Sequence, residues 1–86
     1  MTVFLALGSN LGNREMYLLQ AITHISRKIG VITSISSLYE TKADGFESEN
    51  MFLNMVICIE TRLTPQQILE ATQKIEKEIG RKNKSL

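Results

Sequence analysis

An α+β sandwich, with two amphipathic helices covering one face of an antiparallel sheet, is the fold class this sequence predicts. Two segments carry apolar residues at helical spacing and then meet a glycine: Leu18, Ile22, Ile25 and Ile29 before Gly30, and Ile68, Thr72, Ile75 and Ile79 before Gly80. Met51 to Thr61 instead alternates, separating Met51, Leu53, Met55, Ile57 and Ile59 from Phe52, Asn54, Val56, Cys58 and Glu60 as a strand does. No repeat, low-complexity tract or linker divides the 86 residues, and Pro65 is the only proline, so residues 1–86 form a single domain.

The elements follow in order. Val3 to Leu7 is an apolar run too short for a helix, and it breaks at Gly8-Ser9-Asn10-Leu11-Gly12, a strand-to-helix loop. Gly8 and Gly12 admit close approaches or backbone angles that a side chain forbids, and Ser9 and Asn10 offer a hydroxyl and an amide to a ligand or to the loop itself. Neither a Walker Gly-Lys-Ser/Thr ending nor a G-x-G-x-x-G fingerprint is present. Asn13 caps the first helix, which Gly30 ends as a left-handed cap, and His24, off the apolar stripe among polar neighbours, reads as a solvated surface histidine with no assigned role. Val31 to Tyr39 reads as a β-branched edge strand, and Glu40 to Asn50 as a long polar loop with Phe46 in its middle. Thr64, Pro65 and Gln67 form a helix start with a capping box, and Leu63 and Ile68 its staple. The second helix stops at Gly80, and Arg81, Lys82 and Lys84 place positive charge at its negative end.

The resulting order, β-α-β-β-α around a three-stranded antiparallel sheet, is a ferredoxin-like sandwich lacking the usual final strand. That strand normally pairs with the first one, so Thr2 to Leu7 is expected to keep a free edge, which a homodimer would cover. Ten Lys and Arg against nine Asp and Glu leave a net charge of +1, which recruits neither nucleic acid nor a membrane surface. A single cysteine, Cys58, and no apolar run near the roughly 20 residues that span a bilayer fit the cytoplasm.

Phe52 and Asn54 share the less apolar side of the third strand, beside the long loop. A flat heterocycle wants such a pair, a ring to stack on and an amide that both donates and accepts. An aromatic packing on an open sheet and an amide bonding its own loop give the same pattern. Gln73 and Glu76, three apart on the second helix, offer an amide and a carboxylate to one ligand or simply form a solvated face.

Three blocks carry a resemblance: Ala6-Leu7-Gly8-Ser9-Asn10-Leu11-Gly12, then Ser37-Leu38-Tyr39-Glu40-Thr41, then Phe52-Leu53-Asn54 through Leu63-Thr64-Pro65 to Gln73-Lys74-Ile75-Glu76 and Gly80-Arg81. In order and spacing the chain resembles the N-terminal half of hydroxymethyl-dihydropterin pyrophosphokinase of folate biosynthesis. The resemblance implies transfer of the pyrophosphoryl group of ATP to the hydroxymethyl group of a reduced pterin, releasing AMP, with Mg²⁺ as cofactor. By position it implies Thr41, Phe52 and Asn54 as pterin contacts, Gln73 and Glu76 as nucleotide contacts, Arg81 as a catalytic residue approaching the phosphates, and Gly8, Ser9 and Asn10 as the loop shaping the site. Lys42 stands where the family typically has proline, and Asp44 where an apolar residue is common. The family also carries its metal ligands on an Asp-x-Asp pair, whereas Asp44 is the single aspartate here. The polypeptide as given is therefore expected to be nearly inactive alone. The alternative is a non-catalytic ferredoxin-like module that binds or self-associates.

Overall fold

The computed structural model describes residues 1–10, 12–42 and 51–84, with the side chains of the last helix as far as Gly80. Strand β1 (Thr2–Ser9) leads to helix α1 (Arg14–Lys28), followed by β2 (Val31–Ile35), β3 (Tyr39–Lys42), β4 (Met51–Glu60) and α2 (Pro65–Lys84). β4 is the centre of the antiparallel sheet, with β1 on one side and both β2 and β3 on the other. The architecture is the ferredoxin-like α+β arrangement, with four strands where the sequence pattern suggested three.

The core lies between sheet and helices. Its centre is the alternating face of β4, where Leu53, Met55, Ile57 and Ile59 are buried, the last two completely. Leu18, Ala21, Ile25 and Ile29 meet it from α1 and its cap, and Ile68, Ile75 and Ile79 from α2. Thr72, on the predicted stripe, is half-buried and turns its hydroxyl back to the Leu69 carbonyl at 2.9 Å. Both helix starts form as their sequences dictate. Asn13 Oδ1 accepts the Met16 amide at 3.0 Å, and Thr64 and Gln67 exchange side-chain bonds of 2.9 and 3.2 Å with each other's amides.

Several boundaries differ from expectation, each for a local reason. β1 continues through Gly8 and Ser9, which stay paired with Asn54 and Leu53, so these two residues belong to the strand and not to the loop after it. α1 ends at Ile29 with φ −113°, and Gly30 is not left-handed; Gly12, at φ +62°, is the positive-φ glycine among the described residues. Gly30 is needed for closeness, since a Cβ there would fall 2.1 Å from the Glu60 carbonyl oxygen. The same junction is closed by Thr61, whose buried hydroxyl donates to the Ile29 carbonyl at 2.6 Å.

The Val31–Tyr39 strand is in fact broken. Ser36 Oγ takes the Val56 amide at 2.8 Å while the Ser36 amide bonds the Val56 carbonyl at 2.8 Å, so a side chain substitutes for backbone in the ladder. Pairing resumes at Tyr39, which puts Glu40, Thr41 and Lys42 on a strand and not in a loop. Phe46 and Asp44 lie outside the described residues. α2 runs past Gly80 to Lys84, because nothing imposes a left-handed turn at that glycine and helix-favouring Arg81 and Lys82 follow.

Candidate functional site

The open face of the sheet, opposite the helices, carries the side chains that alternate with the core. Asn54 lies near the start of β4 on this face, directly across from Gly8 on β1 and from Tyr39 on β3. Its Nδ2 donates to Thr41 Oγ1 at 2.9 Å and also lies 3.2 Å from the Tyr39 carbonyl and 3.3 Å from that of Phe52. Phe52, in turn, faces Thr41 across the β3–β4 ladder. The aromatic ring, the amide and the hydroxyl therefore converge at one end of β4.

Gly8 makes room for them. A Cβ at that position would lie 2.9 Å from Asn54 Oδ1 and 3.6 Å from the Phe52 ring. With no side chain at Gly8, Asn54 and the Phe52 ring, both half-buried, close over its bare backbone, and this cluster is the candidate recess for a flat ligand. Ser9, next along β1, is buried on the helix side, and Asn10 is half-buried just after the strand.

On its helix side, Gly8 also lines a cavity of about 80 Å³ shared with Tyr17, Thr72, Ile75, Glu76 and Ile79. Burial pushes the Tyr17 phenol above the ordinary tyrosine range, and the Glu76 carboxylate beside it pushes the same way. Glu76 is thus brought to the same end of β1 as the recess. Gln73 is exposed on α2 and does not line this cavity. Arg81 falls within the helical span of α2, and its side chain lies outside the described residues. Among the described residues there is no group of three or more His, Cys, Asp or Glu able to hold a metal. The described residues do not by themselves form a Mg²⁺ site.

A family model for 7,8-dihydro-6-hydroxymethylpterin-pyrophosphokinase, HPPK, matches residues 4–86. The chain belongs to the HPPK family. It is 48% identical over 79 residues to the 2-amino-4-hydroxy-6-hydroxymethyldihydropteridine pyrophosphokinase of Bacillus subtilis strain 168, a match covering 91% of this chain and 47% of that protein. The enzymes of the same name from Porphyromonas gingivalis strain ATCC 33277 and Aquifex aeolicus are 46% and 47% identical over 83 residues, 96% of this chain and 56% and 51% of theirs. This HPPK-family chain therefore spans about half the length of these curated relatives.

Sequence reasoning missed two residues at this end of the fold. Tyr17 sits between Leu18 and the helix start and reads from spacing as a flank of the apolar stripe; only the structure shows it beside Glu76. Arg14 follows the cap residue and reads as an exposed first-turn charge. In the structure its Nη1 donates to Glu40 Oε2 and to the Met51 carbonyl, both at 2.8 Å. His24, expected on a solvated surface, is only 15% exposed at its side chain, with Nδ1 3.9 Å from Glu78 Oε2.

Proposed function

We propose that this HPPK-family chain supplies the pterin side of ATP-dependent pyrophosphoryl transfer to 6-hydroxymethyl-7,8-dihydropterin in folate biosynthesis. The observation that carries the reading is the convergence of Phe52, Asn54 and Thr41 at Gly8, with Asn54 Nδ2 2.9 Å from Thr41 Oγ1. A pterin presents alternating donors and acceptors along one edge, which an amide and a hydroxyl can match, and a flat face that an aromatic ring can stack against. Gly8 shapes the recess, with Ser9 buried behind it on the helix side and Asn10 following, while Gln73 and Glu76 of α2 contact the nucleotide and Arg81 approaches its phosphates as the catalytic cation. The hydroxymethyl oxygen gives up its proton to solvent as it bonds to the β-phosphorus of ATP, the bond from that phosphorus to the α–β bridging oxygen breaks, and AMP leaves with that oxygen. The protein acts in the cytoplasm, a placement that its free Cys58 thiol supports. No described helix is long and apolar enough to cross a membrane. Titration with 6-hydroxymethyl-7,8-dihydropterin, followed by NMR, is expected to move the Thr41, Phe52 and Asn54 resonances together. No movement at millimolar ligand rejects the pterin reading.

A second reading, a module that self-associates without chemistry, is favoured by the outer edge of β1, which no described strand pairs. The Met1 and Thr61 backbones exchange both of their hydrogen bonds at 3.0 Å, which directs the odd-numbered groups of β1 at β4 and those of Thr2, Phe4, Ala6 and Gly8 outward. Thr2–Ser9 contains no charge or proline to discourage pairing, and Phe4 is 70% exposed. Two copies meeting along this edge would form a homodimer. Sedimentation that shows a concentration-dependent dimer, with no pterin-induced shifts, selects this reading over the first.

A further inference from the structure

We propose that Arg14 is a positioning residue for the heterocycle recess, holding the β3–β4 ladder in register from the helix side of the sheet. The inference rests on the pterin reading for its consequence, but its structural half stands alone. Arg14 is the first residue of α1, and the preceding turn fixes its backbone: Gly12 takes φ +62°, and Asn13 caps the helix through Met16. From there a single nitrogen, Nη1, reaches both strands, donating to Glu40 Oε2 on β3 and to the Met51 carbonyl on β4 at 2.8 Å each.

Those two contacts bracket the recess. In the ladder Lys42 pairs with Met51, Thr41 with Phe52, Glu40 with Leu53 and Tyr39 with Asn54. Leu53 is buried toward the helices, so Glu40 opposite it faces Arg14, while Thr41 and Phe52 face the other way. Arg14 therefore touches neither Thr41 nor a ligand in the recess, and its effect passes through the strands. β3 needs such support, because its four residues are all exposed and, among the described residues, pair with β4 alone. With little apolar burial of its own, its alignment rests on the ladder, on the Asn54 side-chain bonds to Thr41 and Tyr39, and on this guanidinium. An exposed ion pair alone contributes little. Here the cation also takes a main-chain carbonyl in a charge-assisted bond, which ties two strands and a helix at one atom.

The test has one arm without ligand and one with it. In the ligand-free chain, Arg14→Ala is expected to raise amide exchange across Tyr39–Lys42 by about tenfold relative to Ile57 and to shift the Asn54 side-chain amide resonances, with the Leu5 and Ile57 amides keeping their protection. Unchanged Tyr39–Lys42 and Asn54 signals overturn the proposal, and so does an equal loss of protection at Leu5 and Ile57, which makes Arg14 a general stabiliser. In the second arm, 6-hydroxymethyl-7,8-dihydropterin binds Arg14→Ala about tenfold more weakly than wild type, Glu40→Gln falls between, and Arg14→Lys recovers part of the loss. Equal affinity in wild type and Arg14→Ala also overturns the proposal. Absence of binding to the wild-type chain rejects the pterin reading, and the ligand-free arm then decides the role of Arg14.

Discussion

The two flanks of β4 are built differently. On one side β1 pairs with it through eight consecutive residues, from Thr2 opposite Glu60 to Ser9 opposite Leu53, without interruption. On the other, β2 shifts register between Ile32 and Ser34, Ser36 inserts its hydroxyl into the ladder, and β3 resumes for four residues. The continuous flank is apolar backbone scaffolding; the interrupted one is rich in hydroxyls and carries Thr41. Placing a recess where the two flanks meet lets a rigid strand present Gly8 and a lightly held one present a hydroxyl, so local adjustment at the site need not disturb the core.

The most severe way to break the contrast is at the strand both flanks share. Ile57 is fully buried and faces Leu5 on one side and Ile35 on the other. Ile57→Ala is expected to cost about 4 kcal/mol, from lost burial and the cavity left behind. In urea unfolding followed separately by signals from Leu5 and Tyr39, both midpoints should fall together. A drop at only one flank would mean that the sheet does not unfold as a unit.

An identical substitution on each flank sharpens the comparison. At Gly30, before β2, a new Cβ meets the Glu60 main-chain oxygen at 2.1 Å, and backbone cannot move aside. Gly30→Ala should cost about 2–3 kcal/mol in global stability. At Gly8 the nearest atom is Asn54 Oδ1 at 2.9 Å, the end of a side chain. Gly8→Ala should therefore leave global stability within about 1 kcal/mol, because Asn54 turns away at the expense of its bond to Thr41. Pterin affinity should fall by about tenfold, near 1.4 kcal/mol. Chemical denaturation together with ligand titration reads both quantities, and the expectation fails if Gly30→Ala is the milder change in stability.

The shared strand β4 was legible from periodicity because its pattern has one cause. Burial on one side makes Leu53, Met55, Ile57 and Ile59 alternate with less buried partners, and nothing local competes. The interrupted flank was not, because Ser and Thr score as tolerable strand residues whether their hydroxyls point to water or replace a main-chain acceptor, as Ser36 does. Gly30 misled for a related reason: a glycine after a helix reads as a left-handed cap, but here the demand came from Glu60, thirty residues away in the chain. The convergence of Phe52, Asn54 and Thr41 was anticipated in part. Alternation put the first two on one face, while Thr41 reached them through a strand that the polar sequence around it concealed.

The smallest expected effect tests whether the cavity behind Gly8 belongs to the rigid flank. Tyr17 lines it with Glu76, and its phenol is held above the ordinary value near 10, by burial first and by the carboxylate second. A raised value in the folded state means that Tyr17 contributes stability fully present below about pH 10 and lost as the pH rises through the folded value. Tyr17→Phe removes the titrating group and should flatten the decline of the urea midpoint between about pH 9 and 11. Because the ring is half-buried and solvent screens the pair, the difference should be only a few tenths of a kcal/mol, roughly. Glu76→Gln in the same series removes the second cause and leaves the first, so its decline should fall between wild type and Tyr17→Phe. If both variants titrate as wild type does, the cavity is open to solvent and the helix side of Gly8 is as loosely held as β3.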